Sequence, residues 1–177
     1  ECPHNHMTST PYFILVLLLA ATLPGSRVHG QGVREQTRQP VYSPLAMYNE
    51  STAFFGFSLA RHGDTLVVGD ITDNTELGYN RGSVYVHRLV DGNWLFQQCL
   101  RAPDGGEGSQ FGYSVALDDT TLLVSAPGQT GETGRNMGAV YVYQRQTGGW
   151  ILAQKVTLPG DPATYLGFGN IVQLTPE

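Results

Sequence analysis

Large and small side chains alternate strictly along one stretch of the chain. Phe111, Tyr113, Val115 and Leu117 are separated by Gly112, Ser114 and Ala116, a period of two that predicts a strand with one bulky face and one small face. Leu122, Leu123 and Val124 follow as a continuous apolar run, the pattern of a strand buried on both sides. Val140 to Tyr143 are β-branched or aromatic, types that pack well on a pleated surface. Trp150, Ile151 and Leu152 open a fourth segment. Asp118-Asp119 and Gly148-Gly149 stand between segments one and two and between three and four, where tight hairpins are expected. The pattern predicts a four-stranded antiparallel meander.

The same text occurs 56 positions earlier, with Phe55 in place of Phe111. Phe55 begins FGFSLARHGDTLVVGD, and GSVYV from Gly82 matches GAVYV from Gly138. Trp94 falls on Trp150, Gln98 on Gln154 and Leu100 on Val156 at the same offset. A third copy opens at Phe168 with FGNIVQL. A period of fifty-odd residues carrying four short strands predicts an all-β repeat architecture.

These landmarks resemble the FG-GAP repeat family, whose units form blades of a β-propeller of the kind found at the head of integrin α subunits. Phe111-Gly112 supplies the first dipeptide, and Ser125-Ala126-Pro127 stands where the family has Gly-Ala-Pro. The first copy keeps Phe55-Gly56 but has Gly69-Asp70-Ile71 at the second position. The resemblance covers the chain from about Phe54 onward. It implies two complete blades, about 54–109 and 110–166, and the start of a third at 167–177. A propeller needs four to eight blades, so the segment is expected to be an arc of a longer chain, with the missing blades as its partners.

Upstream of the repeat region (53–177), residues 1–30 read as a leader. Glu1 to His6 precede the first methionine, Met7, and Tyr12 to Leu23 is a 12-residue apolar run, short of the roughly 20 residues that span a bilayer. Val28 and Gly30 suit signal-peptidase cleavage before Gln31. This predicts a secreted or cell-surface protein whose exported form starts at Gln31. Residues 31–52 are polar, include Pro40 and Pro44, and read as a linker. Asn49-Glu50-Ser51 is a glycosylation sequon. The formal net charge of −5 gives no basic footprint for nucleic acid and no polybasic membrane patch.

Few residues suggest chemistry. Cys2 lies before Met7, so Cys99 is expected to be an inert unpaired thiol facing solvent or a strand edge, the other reading being a pair with a cysteine in another part of a longer chain. His62 falls in a hairpin turn, and His87 stands on the third strand where the second copy has Tyr143. No nucleophile elbow, glycine-rich phosphate loop or zinc spacing occurs, so no enzymatic activity and no cofactor are expected. Asp70, Asp73 and Glu76 form an acidic cluster, but their spacing of three does not suit calcium. The resemblance adds a second ground. Many FG-GAP repeats carry a calcium loop between strands one and two. Here Arg61 to Asp64 and Asp118-Asp119 are too short to wrap the ion, which implies the calcium-free, short-hairpin variety.

Loop lengths divide the two ends of each blade. His62-Gly63, Asp91-Gly92, Asp118-Asp119 and Gly148-Gly149 make tight connections at one end. Ile71 to Arg81, Pro103 to Gln110, Gly128 to Met137 and Pro159 to Leu166 make long ones at the other. Binding residues concentrate on loops held by a rigid scaffold. The long-loop face, with Asp73, Glu76, Tyr79, Asn80, Arg81, Arg135 and Asn136, is therefore the expected contact surface for an extracellular protein or glycan in an adhesion-like role. Two other readings are a structural repeat with no specific ligand and an accessory domain of a secreted hydrolase.

Overall fold

A computed structural model describes residues 54–74, 78–131, 136–159 and 167–175. The leader, the linker and Asn49 lie outside them. Eight strands form two sheets of four. The first blade is β1 (Phe55–His62), β2 (Thr65–Asp70), β3 (Ser83–Val90) and β4 (Asn93–Leu100), and the second is β5 (Val115–Leu117), β6 (Thr121–Ala126), β7 (Ala139–Gln146) and β8 (Gly149–Val156). Each sheet follows chain order, every neighbouring pair is antiparallel, and the described residues contain no helix. The two-copy meander read from the alternation is the observed fold.

One element differs. The alternation predicts a strand from Phe111 to Leu117, whereas β5 begins only at Val115. Gly112 adopts a φ of 92°, a left-handed conformation open to a residue without Cβ. The backbone N–H groups of Gly112 and Tyr113 then share the carbonyl of Ser125, at 2.9 and 3.3 Å. Two residues thus face one, and the ladder is irregular before β5. The first blade shows a register shift at the same place, between Phe55 and Ser58, with Gly56 at 90°. The Phe-Gly dipeptide is a bulge that opens each blade. Phe111 is swung out of the strand and is wholly buried.

The space Phe111 fills lies between the blades. Val67, Val84, Val86, Leu100 and Ala102 of the first unit meet Phe111, Val115, Leu122, Val124, Tyr141, Tyr143 and Trp150 of the second in one apolar cluster. Burying an aromatic side chain of this size contributes roughly 2–3 kcal/mol. The backbone around Phe111 is fixed equally firmly. Its N–H donates to the carbonyl of Arg81 at 2.9 Å, and its own carbonyl lies against Gly82, where a Cβ would collide with backbone atoms of Phe111. The third copy repeats the arrangement, with the carbonyl of Phe168 against Gly138.

Polar bonds complete the interface. Ser58 Oγ donates to the carbonyl of Gly112 at 2.6 Å, Tyr143 Oη to that of Arg101 at 3.3 Å, and Arg145 to Thr65 Oγ1. Asp104, in the connection between the blades, accepts from Tyr141 Oη at 2.7 Å and from Lys155 Nζ. Its carboxyl is held below the usual carboxylate range because these donors outweigh its burial, although burial is the largest single influence.

The two outer faces of the pair are unlike. Leu66, Val68, Tyr85 and His87, on the first blade's face away from the second, are almost wholly buried. Leu123 and Val142, on the second blade's face away from the first, are only half-buried. The expectation for Cys99 also changes. It pairs in register with Tyr85 on that buried side, and it is not a free thiol.

The seat for Phe111 gives a direct test. Gly82→Ala would place a methyl against the backbone of Phe111 at a φ of 77°, and should lower unfolding stability by more than about 2 kcal/mol in denaturant titration. Gly106→Ala, where a Cβ meets nothing, should change stability by less than about 0.5 kcal/mol.

Candidate functional site

The described parts of the first three long connections lie at one end of the sheets, and their backbones are tied into a shelf. The N–H groups of Gly108, Gln110 and Phe111 donate to the carbonyls of Tyr79, Asn80 and Arg81 at 3.0, 3.1 and 2.9 Å. Ser109 Oγ adds a bond to the carbonyl of Arg81 at 3.2 Å. Asn74 Oδ1 accepts from the N–H of Asn80 at 2.9 Å, holding it at a φ of 51°. One period later, Thr130 and Asn136 form an isolated bridge, and the N–H groups of Met137 and Gly138 donate to the carbonyl of Gln129 at 3.0 and 3.1 Å. The loops are long in sequence yet bonded to each other through their main chains.

The side chains on this shelf have distinct fates. Tyr79 is 66% exposed, and Asn80 and Asn136 are exposed. Arg81 is half-buried and, with Gly82, Arg101, Ala102 and Gly105, lines a shallow depression between neighbouring loops. Glu76 and Arg135 lie outside the described residues.

Asp73 behaves differently from the surface residue the sequence suggests. Its side chain is 8% exposed. One carboxylate oxygen accepts from Ser83 Oγ, from Tyr85 Oη at 3.1 Å and from Arg101 Nη2 at 3.1 Å. Arg101 Nε also donates to Ser83 Oγ at 2.9 Å. The acid therefore anchors the β2–β3 loop onto the base of β3, and its charge is spent internally. Spacing missed its partners because Arg101 is 28 residues away. A comparison of the copies held a trace of the network, since Ser83, Arg101 and Asp73 change together to Ala139, Thr157 and Gln129.

Asp70 is also occupied, accepting from the N–H and the hydroxyl of Thr72, both at 3.1 Å, and burial raises its carboxyl above the ordinary value. At the opposite end, Asp118 caps the hairpin by accepting from the N–H groups of Thr120 and Thr121 at 2.8 and 2.6 Å. His62 bridges to Asp119 at 3.1 Å, joining adjacent hairpins. Among the described residues, no group of three or more His, Cys, Asp or Glu side chains is placed to hold a metal ion.

His87 belongs to the packing. It is 3% exposed, meets Phe96 with ring centroids 5.9 Å apart, and its Nδ1 has no hydrogen-bond partner. Burial lowers its pKa from 6.5 to about 4.

Two outcomes follow. Asp73→Ala should destabilise the fold by about 2–3 kcal/mol, because it leaves Arg101 without its carboxylate. Asp73→Ala with Arg101→Ala should cost less than the sum of the single changes, as denaturant melts in a double-mutant cycle would show. The second outcome concerns pH. The unfolded chain binds a proton at His87 more readily than the native one, so the stability held by neutral imidazole is complete above about pH 6.5. It is lost as pH falls toward 4, by on the order of 2–3 kcal/mol. A His87→Phe variant should show a correspondingly weaker pH dependence of its melting over that window.

Comparison with known proteins agrees with this architecture. The sequence matches the family described as FG-GAP repeat over residues 49–87 and 94–143, just over half of the chain. A search of curated proteins found no match. The two matched segments carry the Phe-Gly bulges and the first three strands of each blade, and the chain belongs to the FG-GAP repeat family.

Proposed function

We propose that the chain is an exported recognition module that binds an extracellular protein or glycan through its long-loop face, in an adhesion-like role and without catalysis. The observation that carries this reading is the exposure of Tyr79, 66% open to solvent, on loops whose main chains are bonded to one another. A rigid shelf lets exposed side chains meet a ligand with little ordering cost. Tyrosine and arginine, present here as Tyr79, Arg81 and Arg135, are the types that carry most binding energy at interfaces. Asn80 and Asn136 add adaptable amide groups, whereas Asp73 supports the shelf from below. The apolar run from Tyr12 to Leu23 and the cleavage pattern before Gln31 support export.

The experiment exports the full chain from eukaryotic cells, then screens it against extracellular protein and glycan arrays. A Tyr79→Ala/Arg135→Ala/Asn136→Ala variant should bind its ligand at least about tenfold more weakly at unchanged melting temperature, the effect of losing one or two hot-spot side chains. Asp91→Ala, on the short-hairpin end, should bind normally. Retention in the chain's leader-bearing form inside the cell, or equal loss in both variants, would refute the reading. Failure to bind any partner would leave the family's structural role in its place.

A further inference from the structure

The depression on the loop face carries a charge that the packing of the blade does not require. Arg81 and Arg101 both line it, and Gly82, Ala102 and Gly105 leave its floor free of long side chains. Arg101 is held from below. Its Nε donates to Ser83 Oγ at 2.9 Å and its Nη2 to Asp73 at 3.1 Å, whereas its Nη1 makes no hydrogen bond among the described residues. The side chain keeps 29% of its surface open. A guanidinium fixed through two nitrogens and open at the third is already oriented to donate to an anion.

The second copy shows the same corner without the arginines. Met137 stands in the place of Arg81 and Thr157 in that of Arg101, while Gly138 keeps the place of Gly82. Met137 is buried, so an apolar stem is enough to pack this corner, and the guanidinium of Arg81 is an addition to it. The other cations of the described residues are engaged elsewhere. Arg88 and Arg145 bridge to Asp64, Lys155 bridges to Asp104, and Arg61 lies over the Trp94 ring at 5.6 Å. A chain of formal net charge −5 repels polyanions as a whole. An acidic ligand would therefore be held by local geometry and not by bulk attraction.

We propose that this depression binds the acidic group, a carboxylate or a sulfate, of an anionic glycan. Arg101 Nη1 and the Arg81 guanidinium are the donors, and the exposed ring of Tyr79 is the surface on which the adjoining sugar packs. The assignment deepens the reading of the loop face as a recognition surface and rests on it. Both oxyanions match the planar fork of an arginine. The depression is too shallow to seat a bulky peptide side chain, the usual anchor of a peptide site, which favours a glycan over an acidic peptide. Glu107, exposed and beside the Arg81 stem at Gly78, tempers the positive charge.

The test titrates the full chain with three oligosaccharides: a dextran sulfate bearing sulfate alone, an oligosialic acid bearing carboxylate alone, and neutral dextran. At least one acidic probe should bind and the neutral one should not, and the acidic probe that binds more tightly identifies the group. Arg81→Met installs the residue of the second copy, so the melting temperature should hold while affinity for the acidic probe falls at least about tenfold. Arg101→Lys keeps a charge opposite Asp73 but removes Nη1, and should weaken binding at least about threefold. Glu107→Gln should strengthen it by about two- to threefold. Acidic probes that bind no better than neutral dextran, or that bind Arg81→Met as well as the natural chain, would overturn the proposal. Tighter binding of a polyglutamate peptide than of either acidic sugar would assign the depression to acidic peptides and equally overturn it. A ligand lost in Tyr79→Ala/Arg135→Ala/Asn136→Ala but kept by Arg81→Met would remove the acidic subsite while leaving the loop face as a contact surface.

Discussion

The fold depends on one close approach of backbone to backbone. Where the second blade begins, the Phe111 peptide rests on the α-carbon of Gly82, and a hydrogen bond from the Phe111 N–H to Arg81 locks the distance. No side chain fits at position 82, and the Gly112 bulge is what turns the Phe111 ring into the gap between the sheets. Local geometry and long-range packing are therefore the same event. A glycine at the start of β3 admits the next blade, and a Phe-Gly bulge at the start of that blade fills the space admitted. The contact recurs between Gly138 and Phe168, so the repeat propagates by a rule that each unit both satisfies and offers.

That rule explains what could be read in the sequence. The 56-residue recurrence of Phe-Gly, the third-strand glycine and the outer-strand tryptophan carried the meander and its order. What alternation could not show was its own interruption. Phe111 to Leu117 fits a period of two whether or not residue 112 turns left-handed. The pattern records side-chain size, whereas the bulge is a backbone choice. The side of the sheet on which Cys99 lies was hidden for a related reason. The register shift between Val86 and His87 moves one residue of β4 out of phase, and no hydrophobic pattern announces it.

The candidate site was legible only in part, and the reason is again physical. Loop length identified the face, since insertions collect where the sheet imposes no pairing. Tyr79 and Asn136 are exposed there as polar loop composition suggests. Asp73 shares that composition but not that fate, because a carboxylate within reach of Ser83, Tyr85 and Arg101 gains more from three donors than from water. Partners brought together from 10 to 28 residues away leave no mark in local spacing. They show only when two copies of a repeat are laid side by side and seen to differ.

That difference bears on how the blades divide their labour. In the second blade Gln129 replaces Asp73, and Tyr141, the counterpart of Tyr85, turns its hydroxyl to Asp104 instead. The anchor of the loop shelf thus passes from within a blade to the connection between blades. Gln129 Nε2 donates to the carbonyls of Asp104 and Thr130 at 3.1 and 3.4 Å, and its Oε1 is buried without a partner. A tyrosine at the same register serves two anchoring schemes because its hydroxyl reaches either the loop of its own blade or the linker of the preceding one. The apolar seat and the glycine rule hold the units in place, so the polar network above them is free to diverge from copy to copy. Tyr79 stands exposed above that network in the first blade, and the equivalent position of the second copy is Arg135, of unlike chemistry. A repeat that fixes its interfaces through backbone contacts leaves its loop face open to variation without cost to the fold.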